Sequence, residues 1–416
     1  MTWSEPRPYS HFDQPITPAF ADKVQQSGYA ASHSFSPLIR SDIDDCRYRL
    51  TGNGKERRRQ TKRRAIYAAS HRDAAVFGFA AVQLSEALER YYSDRGLSHA
   101  VAAYRSPGIS NYETAARAYG LAKARSPVVF MTYDITDFFD SLDHRILKAK
   151  WKHVLQVEEL PADSFAIFRA TTKFSFVQRA SLSTVRAQNA GHPSRHGWTI
   201  RQVIAEQVPI LPNPTSGKGV PQGVPISQVL SNLYMIDFDS TLNAMVDAAG
   251  GSYCRYGDDI LVVCDRGDAD RIDLEISLAT AREELTLNSS KARRRTFDWS
   301  SPNPERPLQY LGFDLSERGA WLRCNTLGRQ WERMLACYEA TVRKGAAEIA
   351  VGKASKVYTR KFRQRFVSAD HRNFLSYAFT AASAFGSDEK ITGQVRRLRR
   401  QSERKLSQLN KKRPRP

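Results

Sequence analysis

The sequence predicts an α+β fold, with helices packed on one face of an antiparallel sheet, and three observations predict it. Val128-Val129-Phe130-Met131-Thr132-Tyr133 is a short β-rich apolar run that ends at Asp134, the pattern of a buried strand. Ser252-Tyr253-Cys254-Arg255-Tyr256 and Ile260-Leu261-Val262-Val263-Cys264 are two more such runs, and the Gly257-Asp258-Asp259 between them is a hairpin signal. Helical periodicity fills the intervals, so that 128–313 reads strand–helix–helix–hairpin–helix–strand.

The elements follow in order. Residues 1–45 carry Pro6, Pro8, Pro15, Pro18 and Pro37 with little periodicity and read as irregular. Val76, Phe79, Ala80, Leu84 and Leu88 recur at helical spacing, which predicts a helix over most of 65–92, and 112–123 reads as another. From His144 to Arg186 the pattern is helical with a break near Pro161, and Gln188–Gly219 is loop-like, with Gly and Pro at close spacing. Residues 225–249 and 268–284 are helical, Leu308–Phe313 is a strand, and from Thr326 to the end the pattern is helical and basic.

Composition bounds the function. The 416 residues carry 63 Lys+Arg against 43 Asp+Glu, a formal charge of +20, with 41% hydrophobic residues, enough for a core. The opening Met1–Pro8 lacks a basic-then-apolar leader, and the longest apolar stretch, Ala74–Leu84, is too short to span a membrane. Five cysteines without a C-x-x-C pair exclude a disulfide framework and a zinc knuckle, so the expectation is a cytoplasmic protein with no membrane partner. The charge is clustered: Lys55–Arg64 holds seven basic residues and one acid, and Gln394–Pro416 ten basic residues and one acid. Such clusters release counterions from a phosphate backbone, so a polyanion is the expected partner.

Two acidic sites stand at the ends of apolar strands, Asp134 after VVFMTY and Asp258-Asp259 in the hairpin turn. If the strands are sheet neighbours, these carboxylates converge, and they cannot all ionise cheaply unless a cation sits among them. Mg²⁺ takes one or two carboxylates plus substrate phosphates, and a metal pair clamps the attacking and leaving oxygens of a phosphoryl transfer. Metal plus polyanion points to nucleotidyl transfer. A Gly-Asp-Asp tripeptide alone is weak, because turns favour Gly and Asp.

Five ordered blocks make the pattern specific: RRAIYAASHRD (63–73), YDITDFFDSLDH (133–144), GVPQGVPISQVLSN (219–232), RYGDDILVV (255–263) and QYLGF (309–313). Over about Arg57 to Phe313 the chain resembles the reverse transcriptases. The resemblance implies a right-hand polymerase with fingers, a ferredoxin-like palm and a helical thumb. It places an N-terminal extension at 1–54, fingers at 55–127, a palm at 128–323 interrupted by a helical insertion at about 145–218, and a basic thumb with tail at 324–416. It implies that Asp134 and Asp258 bind two Mg²⁺ (Mn²⁺ as substitute), with Asp259 in support and the Ile135 carbonyl as an extra ligand. Arg64, and more weakly Lys62, would grip the dNTP triphosphate, with the backbone of Asp137 and Phe138 lining its path. Gln222 would pack on the incoming nucleotide, Lys291 would protonate the leaving pyrophosphate, and Tyr310-Leu311-Gly312-Phe313 would form the primer grip.

The Tyr256-Gly257-Asp258-Asp259 run also resembles viral RNA-dependent RNA polymerases. Those carry an aspartate, five residues after the first metal aspartate, that binds the ribose 2′-hydroxyl. Here that position is Phe139. A phenyl ring has no acceptor and fills the space, a steric gate that favours dNTPs. His144 reads as a packing or capping histidine, Cys254 and Cys264 as small buried hydrophobes, Asp140 and Asp143 as helix-start acids, and Asp237 and Asp239 as solvent-facing.

Phe138-Phe139-Asp140-Ser141 with His144 resembles the prokaryotic branch: group II intron, retron and antiviral-defence enzymes. Only about 100 residues follow Phe313, with no nuclease-like Cys/His set, which lowers the intron reading. Tyr9-Ser10-His11-Phe12-Asp13 and Ala103-Tyr104-Arg105 resemble the bacterial defence group, in which the enzyme copies a neighbouring non-coding RNA. The expected partners are thus a structured RNA template, the DNA product strand and dNTPs. A retron or group II intron enzyme or maturase, and a non-catalytic RNA-binding scaffold, stand as alternatives.

Overall fold

The structure, a computed structural model, describes residues 3–5, 7–50, 57–106, 108–182, 198–302 and 306–411. Lys55, Glu56 and 412–416 of the two basic clusters, and 188–197 of the expected loop, lie outside the described residues. The chain forms two compact units, one of 1–107, 135–244 and 274–288, the other of 108–134, 245–273 and 289–416. The strands among the described residues are β1 (Leu38–Leu50), β2 (Arg57–Ala68), β3 (Val128–Asp134), β4 (Ser175–Gln178), β5 (Leu211–Pro212), β6 (Ser252–Tyr256), β7 (Asp259–Cys264), β8 (Arg293–Phe297), β9 (Leu308–Tyr310), β10 (Phe313–Ser316) and β11 (Gly319–Leu322).

In the first unit the sheet order is β2-β1-β4-β5. β1 and β2 form a long antiparallel ribbon from Ile39↔Ala68 to Leu50↔Arg57, and β4 joins β1 in parallel at Leu38↔Phe176. This corrects two expectations: 38–45 is strand rather than irregular, and 65–68 ends a strand rather than beginning a helix. Within the charged run of β2, Lys62 and Arg63 stand opposite Asp45 and Asp44 of β1. Asp44 pairs with Arg63 in register, and their side chains meet at 3.2 Å. The helix starts at His71, where the Ser70 hydroxyl accepts from the Asp73 N–H, and runs to Asp94 with Phe77, Leu84, Leu88 and Tyr92 buried. Helices His144–Leu155 and Ala162–Thr172 flank Pro161 as expected, but Ser175–Gln178 is strand. Within the expected 188–219 loop a short helix, Ile200–Ala205, and β5 form. Phe12, Ile39, Val177, Leu182, Trp198 and Val203 share one core.

In the second unit β6-β7-β3-β8 is an antiparallel sheet, as the α+β expectation requires. Every residue of β3 is buried, as its unbroken apolar run requires. The helix Asn111–Arg125 begins with a capping box between Ser110 and Glu113 and packs Ala115, Ala118 and Ala122 into a core with Phe130, Leu261, Phe297 and Phe313. The strand expected over 308–313 is broken: Tyr310 pairs with Phe313 across a two-residue turn, and β9, β10 and β11 make a second antiparallel sheet. The basic C-terminal region is helical over Cys324–Ala350, Arg360–Phe366, Phe374–Ala384 and Glu389–Lys411. The helices expected over 225–249 and 268–284 form as Ser227–Tyr234 with Ile236–Ala248, and as Ala269–Arg282. No helix among the described residues is long and apolar enough to cross a membrane.

Candidate active site

The acidic cluster is built by the register of the β6-β7-β3-β8 sheet. β3 and β7 are neighbours, and Asp134, the last residue of β3, stands directly opposite Asp259, the first of β7. Opposed residues of an antiparallel pair point to the same face, so both carboxylates leave the sheet together. Tyr256 pairs with Asp259, which makes Gly257-Asp258 a two-residue hairpin turn. Gly257 has φ 68°, the glycine-first pattern of a type II′ turn, whose twist matches the strands it joins. Asp258 therefore stands one residue from Asp259 at the same sheet end.

Charge crowding follows. Burial, then the facing Asp258 and Asp134, push the Asp259 carboxyl up to about 7, and only Lys291 and Arg323 work against them. Asp134 is buried, at 8% exposure, and its Oδ1 accepts from Lys291 Nζ at 2.6 Å. The lysine ammonium serves as the local counter-cation of the first aspartate. Among the described residues no three His, Cys, Asp or Glu side chains make a ready metal cage. Mg²⁺ does not need one, since one or two carboxylates plus substrate phosphates suffice. An acid held near 7 by burial and by two other acids, one of them bonded to an ammonium, is a donor set that fits a hard divalent cation.

One contributor was not legible in the sequence. Arg255 is fully buried on β6, and its Nη1 donates to the Gly257 carbonyl at 3.0 Å. It braces the turn that carries Asp258. Alternation with the buried Tyr253 puts Arg255 on the inward face, yet an arginine in a hairpin strand reads as outward from sequence alone.

The Tyr310–Phe313 segment lies in the same unit, and the structure divides it. Tyr310 and Phe313 are core residues, 3% and 0% exposed. Leu311 and Gly312 between them are half-buried, at φ 44° and 93°, the double positive-φ pattern of a type I′ turn, and Leu311 packs against the same core. A leucine in this region is strained, and the carbonyls on both turn residues are held: Asn111 Nδ2 donates to Leu311 O at 2.9 Å and the Arg323 N–H to Gly312 O at 3.1 Å.

The first unit holds the other sequence candidates. Arg64 and Lys62 are two apart on β2 and so share a face; both are exposed. Lys62 Nζ lies 3.0 Å from Asp137 Oδ1. Asp137 is left-handed (φ 44°) and leads into the Phe138–Ser141 turn, where Phe138 is buried and Phe139 half-buried, their rings 5.7 Å apart. The Gln222 loop is strapped down, with Val220 N–H donating to Phe139 O and Tyr67 N–H to Gln222 O, both at 2.8 Å. Gly223 is obligatory, because at φ 110° a Cβ would stand 2.7 Å from Tyr67 O. Ile135, one residue past Asp134, bridges to Leu287.

His144 holds the Gly219 carbonyl through Nε2 at 2.8 Å, a packing role, and Asp143 caps the helix His144–Leu155 by accepting from the Arg145 and Ile146 N–H groups. Cys264 is buried and Cys254 half-buried. Asp237 is exposed, but Asp239 is fully buried, a correction to its solvent-facing expectation.

Residues 83–315, more than half of the chain, match the family model described as reverse transcriptase (RNA-dependent DNA polymerase). No curated protein matches the chain. Among solved structures, telomerase from Candida albicans with a fragment of telomeric RNA is 12% identical at a TM-score of 0.48, covering 95% of this chain and 58% of that one. Apo telomerase from Candida tropicalis, truncated of its C-terminal domain, is 9% identical at a TM-score of 0.44, covering 73% and 59%. The chain thus spans less than two thirds of the length of these structures.

Proposed function

Because the chain belongs to the reverse transcriptase (RNA-dependent DNA polymerase) family, we propose that it extends a primer on a structured non-coding RNA template, in bacterial anti-phage defence, at the Asp134–Asp258–Asp259 cluster. The observation that carries the site is the register Asp134↔Asp259, with Asp258 in the adjoining turn and the Asp259 carboxyl raised to about 7. Asp134 and Asp258 would hold two Mg²⁺, with Asp259 and the Ile135 carbonyl in support; the ions supply charge neutralisation at the α-phosphate and activation of the primer 3′-hydroxyl.

The rest is positioning by the chain itself. Lys291, already bonded to Asp134, is a proton donor for the departing pyrophosphate. Arg64 and Lys62 grip the triphosphate, Arg64 with a planar fork suited to two phosphate oxygens. The backbone at Asp137 and Phe138 lines the triphosphate path, Gln222 packs on the nucleotide, and the Phe139 ring excludes a 2′-hydroxyl. The Leu311–Gly312 turn, between buried Tyr310 and Phe313, offers backbone to the primer end. In this reading 1–54 is an extension, 55–127 the fingers, 128–323 the palm with its insertion at about 145–218, and 324–416 the thumb and tail, in a cytoplasmic enzyme.

The short Tyr9–Asp13 and Ala103–Arg105 motifs support the defence role over retron or intron biology, and the intact carboxylates speak against a non-catalytic scaffold. Purified protein with Mg²⁺, dNTPs and a primed RNA should make DNA, and Asp258→Ala with Asp259→Ala should abolish it. Sequencing the RNA that copurifies and the DNA made from it, alongside phage plating on cells carrying either form, tests the biology. Equal plating efficiency with the active and the doubly substituted enzyme would refute the defence role.

A further inference from the structure

The Tyr9–Asp13 segment, which no step above uses, forms a strap across one corner of the first unit. The corner is the turn from β2 into the helix His71–Asp94. Tyr9 OH donates to Ala69 O at 2.9 Å, and its ring stacks on His71 at 5.5 Å between centroids. His11 Nε2 lies 3.0 Å from Ala68 O, while its Nδ1 accepts from the Phe12 N–H at 2.8 Å. That pairing fixes the neutral tautomer with its proton on Nε2, and burial agrees, holding the His11 imidazole down to about 4. Asp13 closes the strap: its two carboxylate oxygens accept from the N–H groups of His71 and Arg72 at 2.8 and 2.9 Å, as a second cap on that helix.

The strap acts on the same backbone that seats Gln222. Tyr67 N–H donates to Gln222 O, and Gly223 has no room for a Cβ against Tyr67 O. Residues 67, 68 and 69 are thus held in succession by the Gln222 loop, His11 and Tyr9. The same strand carries Arg64 and Lys62, three and five residues before Tyr67. A rigid corner is what a phosphate grip three to five residues along a two-stranded ribbon needs, because the strand is a lever that lengthens by about 3.3 Å per residue and turns a small angular error at its base into a displacement of the grip.

We propose that Tyr9, His11 and Asp13 are positioning residues for the nucleotide grip, fixing the β2 corner on which Gln222 is seated and from which Arg64 and Lys62 project. This inference rests on the assignment of Arg64 and Gln222 to dNTP binding. The experiment is steady-state primer extension by the full chain at saturating primer–template, with dNTP titrated, for wild type, Asp13→Ala, Asp13→Asn, Tyr9→Phe, Arg64→Ala and the Asp13→Ala/Arg64→Ala pair. Asp13→Ala should raise the KM for dNTP about 5- to 10-fold, with kcat within about twofold and primer–template affinity unchanged, the size expected when charge-assisted hydrogen bonds are removed from a support. Asp13→Asn, which keeps one acceptor, should recover part of that effect. Tyr9→Phe, which keeps the ring and drops one hydrogen bond, should raise KM about twofold while the protein stays folded. The Asp13→Ala effect should shrink in the Arg64→Ala background, because part of the strap's effect runs through that arginine.

If Arg64→Ala raises the KM for dNTP and neither Asp13→Ala nor Tyr9→Phe does, the strap inference is wrong and the grip stands. If Arg64→Ala leaves that KM unchanged, the grip assignment itself fails, and the strap inference with it. Effects that multiply in the pair, or a kcat that falls with folded fraction at constant KM, would reduce the strap to a fold element and overturn the proposal.

Discussion

Asp259→Asn should stabilise the metal-free protein, and only at neutral to alkaline pH. The Asp259 carboxyl is pushed from 3.8 to about 7 by burial and by Asp258 and Asp134. In the unfolded chain it titrates near 3.9. Between about pH 4 and 7 the folded state therefore binds the extra proton, so stability falls as pH rises through that window, and the full cost is present above it. Three pH units at about 1.4 kcal/mol each set a ceiling of roughly 4 kcal/mol, and solvent screening of the half-buried carboxylate brings the cost to about 2 kcal/mol. Asparagine keeps the shape, carries no charge and avoids this cost. The assay is thermal unfolding in EDTA at several pH values from 4.5 to 8. The variant should melt a few degrees above wild type at pH 8, with the gap closing toward pH 4.5. Saturating Mg²⁺ should narrow the gap at pH 8 by stabilising the wild type more. An Asp259→Asn protein that melts below wild type at pH 8, or above it by an equal increment at both pH extremes, would refute the crowding argument.

Three further outcomes follow from the same geometry. Phe139→Ala should raise the ratio of NTP to dNTP incorporation, measured by single-nucleotide extension, and an unchanged ratio removes the gate. Lys291→Gln should lower kcat on the order of 10²-fold with little change in primer affinity, measured by rapid-quench incorporation, if the lysine bonded to Asp134 is the proton donor. Replacing Arg396, Arg397, Arg400 and Arg404, all exposed, with Gln should leave the melting temperature nearly unchanged. Those four changes should also flatten the log–log salt dependence of RNA binding by about 0.7 for each phosphate no longer neutralised, read by filter binding across a salt series.

The chemistry was more legible than the frame that holds it. β3, the β6–β7 hairpin and the helix Asn111–Arg125 all announced themselves through apolar runs or periodicity, and the acids at their ends could be placed from strand boundaries alone. The ribbon of β1 and β2 could not, because its strands carry runs of charged residues, RRRQTKRR on β2 among them, in place of an apolar alternation. β8 hid for a related reason. Its RRRTF has one inward arginine, Arg295, made tolerable by a buried ion pair with Glu317 at 2.5 Å and a hydrogen bond to Arg306 O, both partners beyond any local window. Leu311–Gly312 interrupted an apolar run that read as one strand, since a leucine gives no warning of a positive φ. Arg255 and Asp239 show a related blind spot: both are buried charged residues, and neither residue type nor spacing signals that burial.

The basic C-terminus changes most in meaning. Counted as charge, Gln394–Pro416 looks like an appendage whose removal would weaken RNA binding and spare everything else. In the structure its described part is the body of the helix Glu389–Lys411, and Ile391, Val395, Leu398, Leu406 and Leu409 form an apolar stripe at helical spacing. Ile391, Val395 and Leu398 pack into the core that contains Phe130 and Phe313, and Leu406 and Leu409 into a second core with Met334, Phe362 and Phe366. Truncation at Gln394 would strip Val395 and Leu398 from one core and both leucines from the other, at a typical cost of about 2–5 kcal/mol for each large buried side chain. Weaker RNA binding in such a truncation would report unfolding. Arg396, Arg397, Arg399, Arg400 and Arg404 lie on the exposed side of the same helix. The apolar stripe holds them as a fixed array, which would meet phosphates without the ordering cost a loose tail would carry, so any contribution to binding is separable only by substitutions that remove charge and keep the stripe.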